Sequence, residues 1–134
     1  MKELPIGVQN FDSVITNGLV YVDKTAIINQ MIKNRRMNFI SRPRRFGKSL
    51  LVSTLESLFS RGTEMFKGLA IEKLWTDKTY RVLRFDFSGI ECGSVEKFQK
   101  DAVEKFLDVA KEAGVLDWQD TPDKYRTIKI MMNK

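Results

Sequence analysis

Residues 39–51, FISRPRRFGKSLL, constrain the fold more than any other segment of the chain. They end in Gly47, Lys48 and Ser49 directly before an apolar stretch, which is the order in which a phosphate-binding loop leads into a helix. The general pattern GxxxxGK[ST] has a glycine at position 42, where this chain has an arginine. The segment therefore indicates either a nucleotide site with an altered loop or a basic loop that resembles one by chance.

The residues on both sides of this loop favour a strand–loop–helix unit over residues 37–61. Residues 37–41, MNFIS, predict a short strand, and Pro43 and Gly47 then break regular structure. The segment KSLLVSTLESLFS predicts a helix, and Gly62 is its expected C-terminal cap. The side chains expected to form its inner face are Leu51, Leu55, Leu58 and Phe59.

Two further segments complete the predicted organisation. Residues 1–36 are an N-terminal segment and a helix that Asp23 can cap, and residues 80–114 are a second strand and a helix that runs from Ser94 to Gly114. Strands that alternate with helices predict an α/β fold with a parallel sheet flanked by helices. Two strands cannot cover this many apolar helices, so either further strands complete the sheet or the chain is an incomplete piece of a larger domain.

Composition excludes several kinds of catalytic site. The chain has 134 residues, no histidine and a single cysteine, Cys92. Neither a Ser-His-Asp nor a Cys-His unit can be built without histidine, and the usual zinc ligand sets are excluded as well. No apolar run is long enough to cross a membrane and no secretory leader is apparent, so a cytoplasmic protein is expected.

The positive charge is concentrated around the loop. The net charge is +6, and seven basic residues with no acid among them occupy positions 33–48. The other 16 basic residues nearly balance the 17 acidic ones. This distribution favours a local anionic ligand over a protein that is basic throughout. Salt-dependent binding of nucleic acid by the same cluster is the alternative.

The residues of the loop match the chemistry of a phosphate site. Gly47 allows close approach of the backbone, Lys48 can reach the phosphates, and the Ser49 hydroxyl can bind Mg²⁺. The dipole of the helix that begins near Lys48 would add to the attraction for an anion. The predicted nucleotide-binding residues are Arg44, Arg45, Phe46, Gly47, Lys48, Ser49 and Leu50, with Ser49 as the metal ligand and ATP and Mg²⁺ as the cofactors.

The segment SRPRRFGKSLLVSTLESLF closely resembles the signature of the bacterial AAA-ATPase-like family. The segments LPIGVQNF, YVDKT, MFKGLAI and VLRFDFSGI also look like the N-terminal half of that family, and the resemblance covers about residues 4–89. Members carry arginine-proline where the first glycine would stand, so Arg42 departs from the general loop and not from this family. In these proteins the P-loop NTPase domain is often followed by a nuclease-like domain of the PD-(D/E)XK superfamily, which implies nucleic acid as a further partner.

The second acidic motif of such an ATPase is not evident in the sequence. Asp86 in VLRFDF is not favoured, because Arg84 interrupts the apolar run and no acidic residue follows. The resemblance implies that the Walker B motif lies beyond the equivalent of Lys134. It also implies that residues 1–134 are the N-terminal part of one AAA-ATPase-like P-loop domain, an α/β fold whose P-loop NTPase-type parallel sheet is incomplete. We therefore expect a chain that binds ATP through a variant Walker A loop and does not hydrolyse it alone. A nonfunctional truncated remnant is the other alternative.

Overall fold

The computed structural model describes residues 1–34, 37–90 and 93–114. The chain divides into two compact units, Met1–Arg81 and Val82–Lys134, which we call the first and the second unit. The regular elements are α1 (Phe11–Thr16), α2 (Thr25–Asn34), α3 (Lys48–Arg61), a 3-10 helix (Ala70–Lys73) and α4 (Val95–Glu112).

The prediction of an α/β fold with a parallel sheet is wrong. The described parts of the chain contain helices and no β-strand, and both predicted strands, in residues 37–41 and 80–87, lie outside any regular element. A strand forms only where a neighbouring backbone pairs with its N–H and C=O groups. At the start of the second segment, the Tyr80 N–H instead donates to the Phe59 carbonyl at the end of α3, at 2.6 Å.

The helix ends agree with the sequence signals. Gly62 ends α3 with a φ of 66°, and its N–H donates to the Leu58 carbonyl at 2.9 Å. Ser94 caps α4, since its hydroxyl oxygen accepts from the Lys97 N–H at 3.1 Å. The Asp23 carboxylate accepts from the Thr25 N–H at 2.8 Å where α2 begins. These predictions are confirmed because caps act between residues that are close in sequence.

The short helix α1 was not predicted, although its cap is visible in the sequence. The Asn10 carboxamide oxygen accepts from the Ser13 N–H at 3.0 Å, which satisfies one of the free donors at the start of the helix. Six residues are too few for a helical period to stand out. The Asn10 cap was therefore the sequence feature from which α1 could have been predicted.

The core of the first unit is an apolar cluster that joins four parts of the chain. Phe11, Leu58, Phe66 and Ile71 are all fully buried in it. The rings of Phe11 and Phe66 stack with their centroids 4.5 Å apart, and Tyr21 meets the Phe11 ring edge-on at 5.1 Å. Through Leu58 this cluster fixes the position of α3, the helix that follows the candidate loop.

The buried side of α3 is not the one that the apolar spacing predicted. Of the expected inner face only Leu58 is fully buried, and the other buried residues are Ser53, Thr54 and Ser57. The Ser53 hydroxyl oxygen accepts from the Phe11 N–H at 2.9 Å, and the Ser57 hydroxyl donates to the Asp12 carboxylate at 2.7 Å. Small hydroxyl side chains thus bring α3 close to α1 and use their polar groups there.

The described part of the second unit consists of one long helix and the segment before it. Leu107 and Ala110 are the buried residues of α4. The Phe106 ring lies 4.3 Å from the Phe85 ring and 6.2 Å from the Phe87 ring, measured between centroids.

None of the helices described here combines the length and the apolar character needed to cross a membrane.

Candidate phosphate-binding loop

The loop of residues 42–49 turns into α3 through two left-handed backbone positions. Gly47, the residue that precedes the helix, has φ 74° and ψ 19°, a conformation that glycine adopts without steric cost. Arg45, two residues earlier, has a φ of 67° and is the only residue other than glycine with a positive φ in the described chain. A left-handed residue that follows a right-handed one is the backbone pattern that forms anion-binding concavities of N–H groups.

Position 42 does not require a glycine in this loop. Arg42 does not have a positive φ, so its backbone does not call for glycine. The arginine at position 42 therefore replaces a glycine that this loop does not need. The positions with left-handed backbone are 45 and 47.

The ammonium group of Lys48 lies inside the loop. It donates to the Arg42 carbonyl and, at 3.0 Å, to the Pro43 carbonyl. These two bonds draw the start of the loop toward the start of the helix and hold the positive charge over the turn between them. Sequence reasoning did not assign this role to residues 42 and 43, because a backbone carbonyl leaves no trace in the identity of the side chain.

The first turn of α3 adds free donors at the same place. The first N–H groups of a helix have no partner within the helix, and Gly47 has no side chain that could cap them. The helix is 14 residues long, so its dipole contributes a partial positive charge at this end. Backbone donors, helix dipole and the Lys48 ammonium group therefore all favour an anion at the loop.

The predicted site residues, 44–50, form the end of the loop and the first turn of α3, and they differ in burial. Leu50 is half-buried and packs against the apolar cluster of the first unit, so its side chain belongs to the core. The other six residues are exposed; they are Arg44, Arg45, Phe46, Gly47, Lys48 and Ser49. An exposed loop anchored by a packed helix can bind a ligand without disturbing the core.

The part of the chain that the structure describes offers a metal ion few ligands. The described residues contain no group of three or more His, Cys, Asp or Glu side chains that could hold a metal. Ser49, the second residue of α3, is exposed and presents one hydroxyl group beside Lys48. One hydroxyl fits an Mg²⁺ ion that arrives with phosphate oxygens and water as its other ligands, and it does not fit an independent metal site.

Asp86, the carboxylate that sequence reasoning rejected as a second acidic motif, serves a local turn in the second unit. Its carboxylate accepts from the Ser88 N–H at 2.9 Å, and this bond is the main reason why the pKa of Asp86 is lowered. This contact gives the aspartate a structural role in the turn that follows.

Comparison with known proteins places the chain in a family. A protein from Azotobacter chroococcum mcd 1, described as an uncharacterized protein in the vnfD 5' region, is 42% identical over 90 residues. This match covers 66% of the present chain and 17% of that protein. No solved structure gives a significant match. The family described as Predicted AAA-ATPase matches residues 5–130, and the chain therefore belongs to that family of AAA-ATPase-like proteins.

Proposed function

We propose that the loop of residues 42–49 binds the phosphate groups of ATP together with Mg²⁺. The observation that carries the proposal is the Lys48 ammonium group, which lies inside a loop with two left-handed positions, directly at the N-terminus of α3. Membership of a family of predicted AAA-ATPases supports the same function.

Each part of the loop has a defined role in this proposal. The N–H groups around Gly47 and the first turn of α3 donate to phosphate oxygens, and the Lys48 ammonium group provides the positive charge. The Ser49 hydroxyl provides one ligand to Mg²⁺, which neutralises phosphate charge when it is bound. Arg44 and Arg45 are exposed beside the turn and raise the local positive potential.

The chain is proposed to bind ATP and not to turn it over alone. Hydrolysis by this class of site needs a carboxylate that holds Mg²⁺ and a group that orients the attacking water. The sequence from Lys24 to Leu55, which surrounds the loop, contains no aspartate or glutamate. The Asp86 carboxylate in the second unit is already used by the Ser88 N–H.

Isothermal titration calorimetry with ATP and Mg²⁺ tests the proposal. Lys48→Ala is expected to weaken binding by about 10- to 100-fold, which corresponds to the loss of a charge-assisted hydrogen bond. Lys67→Ala removes another exposed lysine, from the segment between α3 and the 3-10 helix, and it should leave the affinity unchanged. Binding of Mg²⁺ without nucleotide is not expected.

Two controls decide the interpretation. Because Lys48 also bonds to the loop carbonyls, thermal unfolding followed by circular dichroism must show that Lys48→Ala is folded, and Lys48→Arg should recover part of the affinity. The absence of ATP binding by the folded wild-type chain would refute the proposal. Binding of DNA or RNA that falls steeply with salt, ignores ATP and is lost on neutralising Arg44 and Arg45 but not in Lys48→Ala would favour the nucleic-acid alternative.

A further inference from the structure

The first turn of α3 contains a backbone carbonyl that accepts from two side-chain hydroxyl groups. The Leu50 carbonyl accepts from the Ser53 hydroxyl at 2.9 Å and from the Thr54 hydroxyl at 2.7 Å. Ser53 and Thr54 are 4% and 1% exposed, so both donors are shielded from water. The peptide unit that follows Ser49 by one residue is therefore held from the buried side of the helix.

The Ser53 hydroxyl also bonds to α1. Its oxygen accepts from the N–H of Phe11, the first residue of α1, at 2.9 Å. An N–H at this position has no acceptor within its own helix. The Gln9 carbonyl is a second and longer acceptor for the same hydroxyl, at 3.3 Å. One buried hydroxyl group thus links the start of α1 to the first turn of α3.

The peptide unit that contains the Leu50 carbonyl also contacts the loop. Its N–H belongs to Leu51 and donates to the Gly47 carbonyl at 2.9 Å. The Gly47 carbonyl shares a peptide unit with the Lys48 N–H, and the described residues contain no cis peptide bond. In a planar trans unit the carbonyl and the N–H point in opposite directions. Because the Gly47 carbonyl points into α3, the Lys48 N–H points toward the loop.

We propose, on the basis of the phosphate site proposed above, that Ser53 is a positioning residue that fixes the direction of the Lys48 N–H. The bonds form a relay from the Phe11 N–H through the Ser53 hydroxyl and the Leu50–Leu51 peptide unit to the Gly47 carbonyl. Hydrogen bonds in such a series polarise one another, so a hydroxyl that donates to the carbonyl of a peptide unit strengthens its N–H as a donor. The packing of α1 is thereby coupled to the affinity for phosphate.

Ser57, one turn further along α3, provides a matched comparison. It is 2% exposed, and its hydroxyl also bonds to α1, by donating to the Asp12 carboxylate at 2.7 Å. A serine hydroxyl has one hydrogen, so this bond leaves Ser57 no donor for the backbone of α3. Ser53 and Ser57 therefore share a contact with α1 and differ in the link to the loop.

Ser53→Ala and Ser57→Ala separate positioning from packing. Both should lower the stability in urea unfolding, because each removes a buried hydrogen bond to α1. In calorimetry with ATP and Mg²⁺, Ser53→Ala should weaken binding by about three- to tenfold and Ser57→Ala by less than about twofold. Hydrogen exchange followed by NMR on the nucleotide-free chain should show the Leu51 N–H exchanging about three- to tenfold faster in Ser53→Ala than in Ser57→Ala.

Two variants of Thr54 test the same carbonyl without removing the bond to α1. Thr54→Val keeps the shape of the side chain and removes its hydroxyl donor, so it should weaken ATP binding by about two- to fivefold. Thr54→Ser keeps the hydroxyl and loses a buried methyl group, so it should lower stability and retain the wild-type affinity. An affinity that follows stability instead of the hydroxyl group would overturn the proposal.

The two readouts distinguish failure of the relay from failure of the proposed function. Equal ATP affinity and equal Leu51 exchange in Ser53→Ala and Ser57→Ala would overturn the positioning role. Faster Leu51 exchange without a change in ATP affinity would also overturn it, because the relay would then not reach the phosphate site. If the folded wild-type chain binds no ATP, the proposed function and the positioning role both fail, and the exchange comparison alone decides whether the relay exists.

Discussion

The loop of residues 42–49 leads into α3, and the apolar cluster packs on the same helix through Leu58. Different interactions stabilise the two regions. The cluster is fully buried and packed by rings and aliphatic side chains from four parts of the chain. The loop is exposed, and its shape depends on backbone torsions and on the bonds of Lys48. We therefore expect substitutions in the cluster to change the stability of the first unit and substitutions in the loop to change ligand binding.

The largest effect is expected from Phe66→Ala. Phe66 is fully buried and stacks on Phe11, so the substitution should lower the free energy of unfolding of the first unit by about 3–5 kcal/mol. Phe46→Ala, in the loop, removes a phenylalanine that is 62% exposed and should change this free energy by less than about 0.5 kcal/mol. Urea unfolding followed by circular dichroism measures both. A similar loss of unfolding free energy in the two variants would contradict the expectation that the cluster, and not the loop, determines stability.

Thr25→Val tests a polar contact at the edge of the cluster. The Thr25 hydroxyl donates to the Asp23 carboxylate at 2.6 Å and accepts from the Ile71 N–H at 3.0 Å. Valine keeps the shape but leaves the buried Ile71 N–H without a partner, which should cost about 1–3 kcal/mol in unfolding free energy. Thr79→Val, at an exposed threonine, is the control and should be close to neutral in the same urea titration.

Gly47→Ala tests separately how a loop residue affects stability and ATP binding. A Cβ at Gly47 would have no atom within 4 Å, so only the left-handed backbone opposes it, at a cost of about 1–2 kcal/mol. Gly18, after α1, has a φ of 63° and the same open surroundings, so Gly18→Ala should lose a similar amount of stability. ATP titration should separate the pair, because only Gly47→Ala places a methyl group in the loop where phosphate is proposed to bind. Equal ATP affinities would contradict that placement.

The smallest effect concerns the pH dependence of the link between α2 and the 3-10 helix. Desolvation raises the pKa of Asp23, but the bonds from the Thr25 hydroxyl and from the Ala70 and Thr25 N–H groups together lower it below its ordinary value. A carboxyl whose pKa is lower in the folded state stabilises the protein above the unfolded pKa, about 3.9, and loses that contribution as the pH falls through the folded pKa. Thermal melts across this acid range should show a smaller decline for Asp23→Asn than for the wild type. An identical decline would mean that Asp23 makes no such contribution.

The family and the candidate loop could be predicted from the sequence because both rest on short segments. The order of Gly47, Lys48 and Ser49, the caps at Ser94 and Gly62, and the bond from the Thr25 N–H to Asp23 where α2 begins all involve residues a few positions apart. The local backbone determines such features. The structure confirmed the caps and has α3 begin at Lys48, directly after the loop.

The sheet predicted from the sequence is wrong, the predicted buried side of α3 is wrong for three of four residues, and the closure of the loop was not predicted. The strands predicted in residues 37–41 and 80–87 would need pairing partners from distant parts of a chain, and the described residues supply none. Ser53 and Ser57 are buried because α1 lies against them, which their helical spacing alone cannot indicate. The Lys48 ammonium group reaches the Arg42 and Pro43 carbonyls only once α3 has begun at Lys48. Local signals thus determined the helices, their caps and the candidate loop. Tertiary structure decided which faces are buried, because burial depends on residues that lie far apart in sequence.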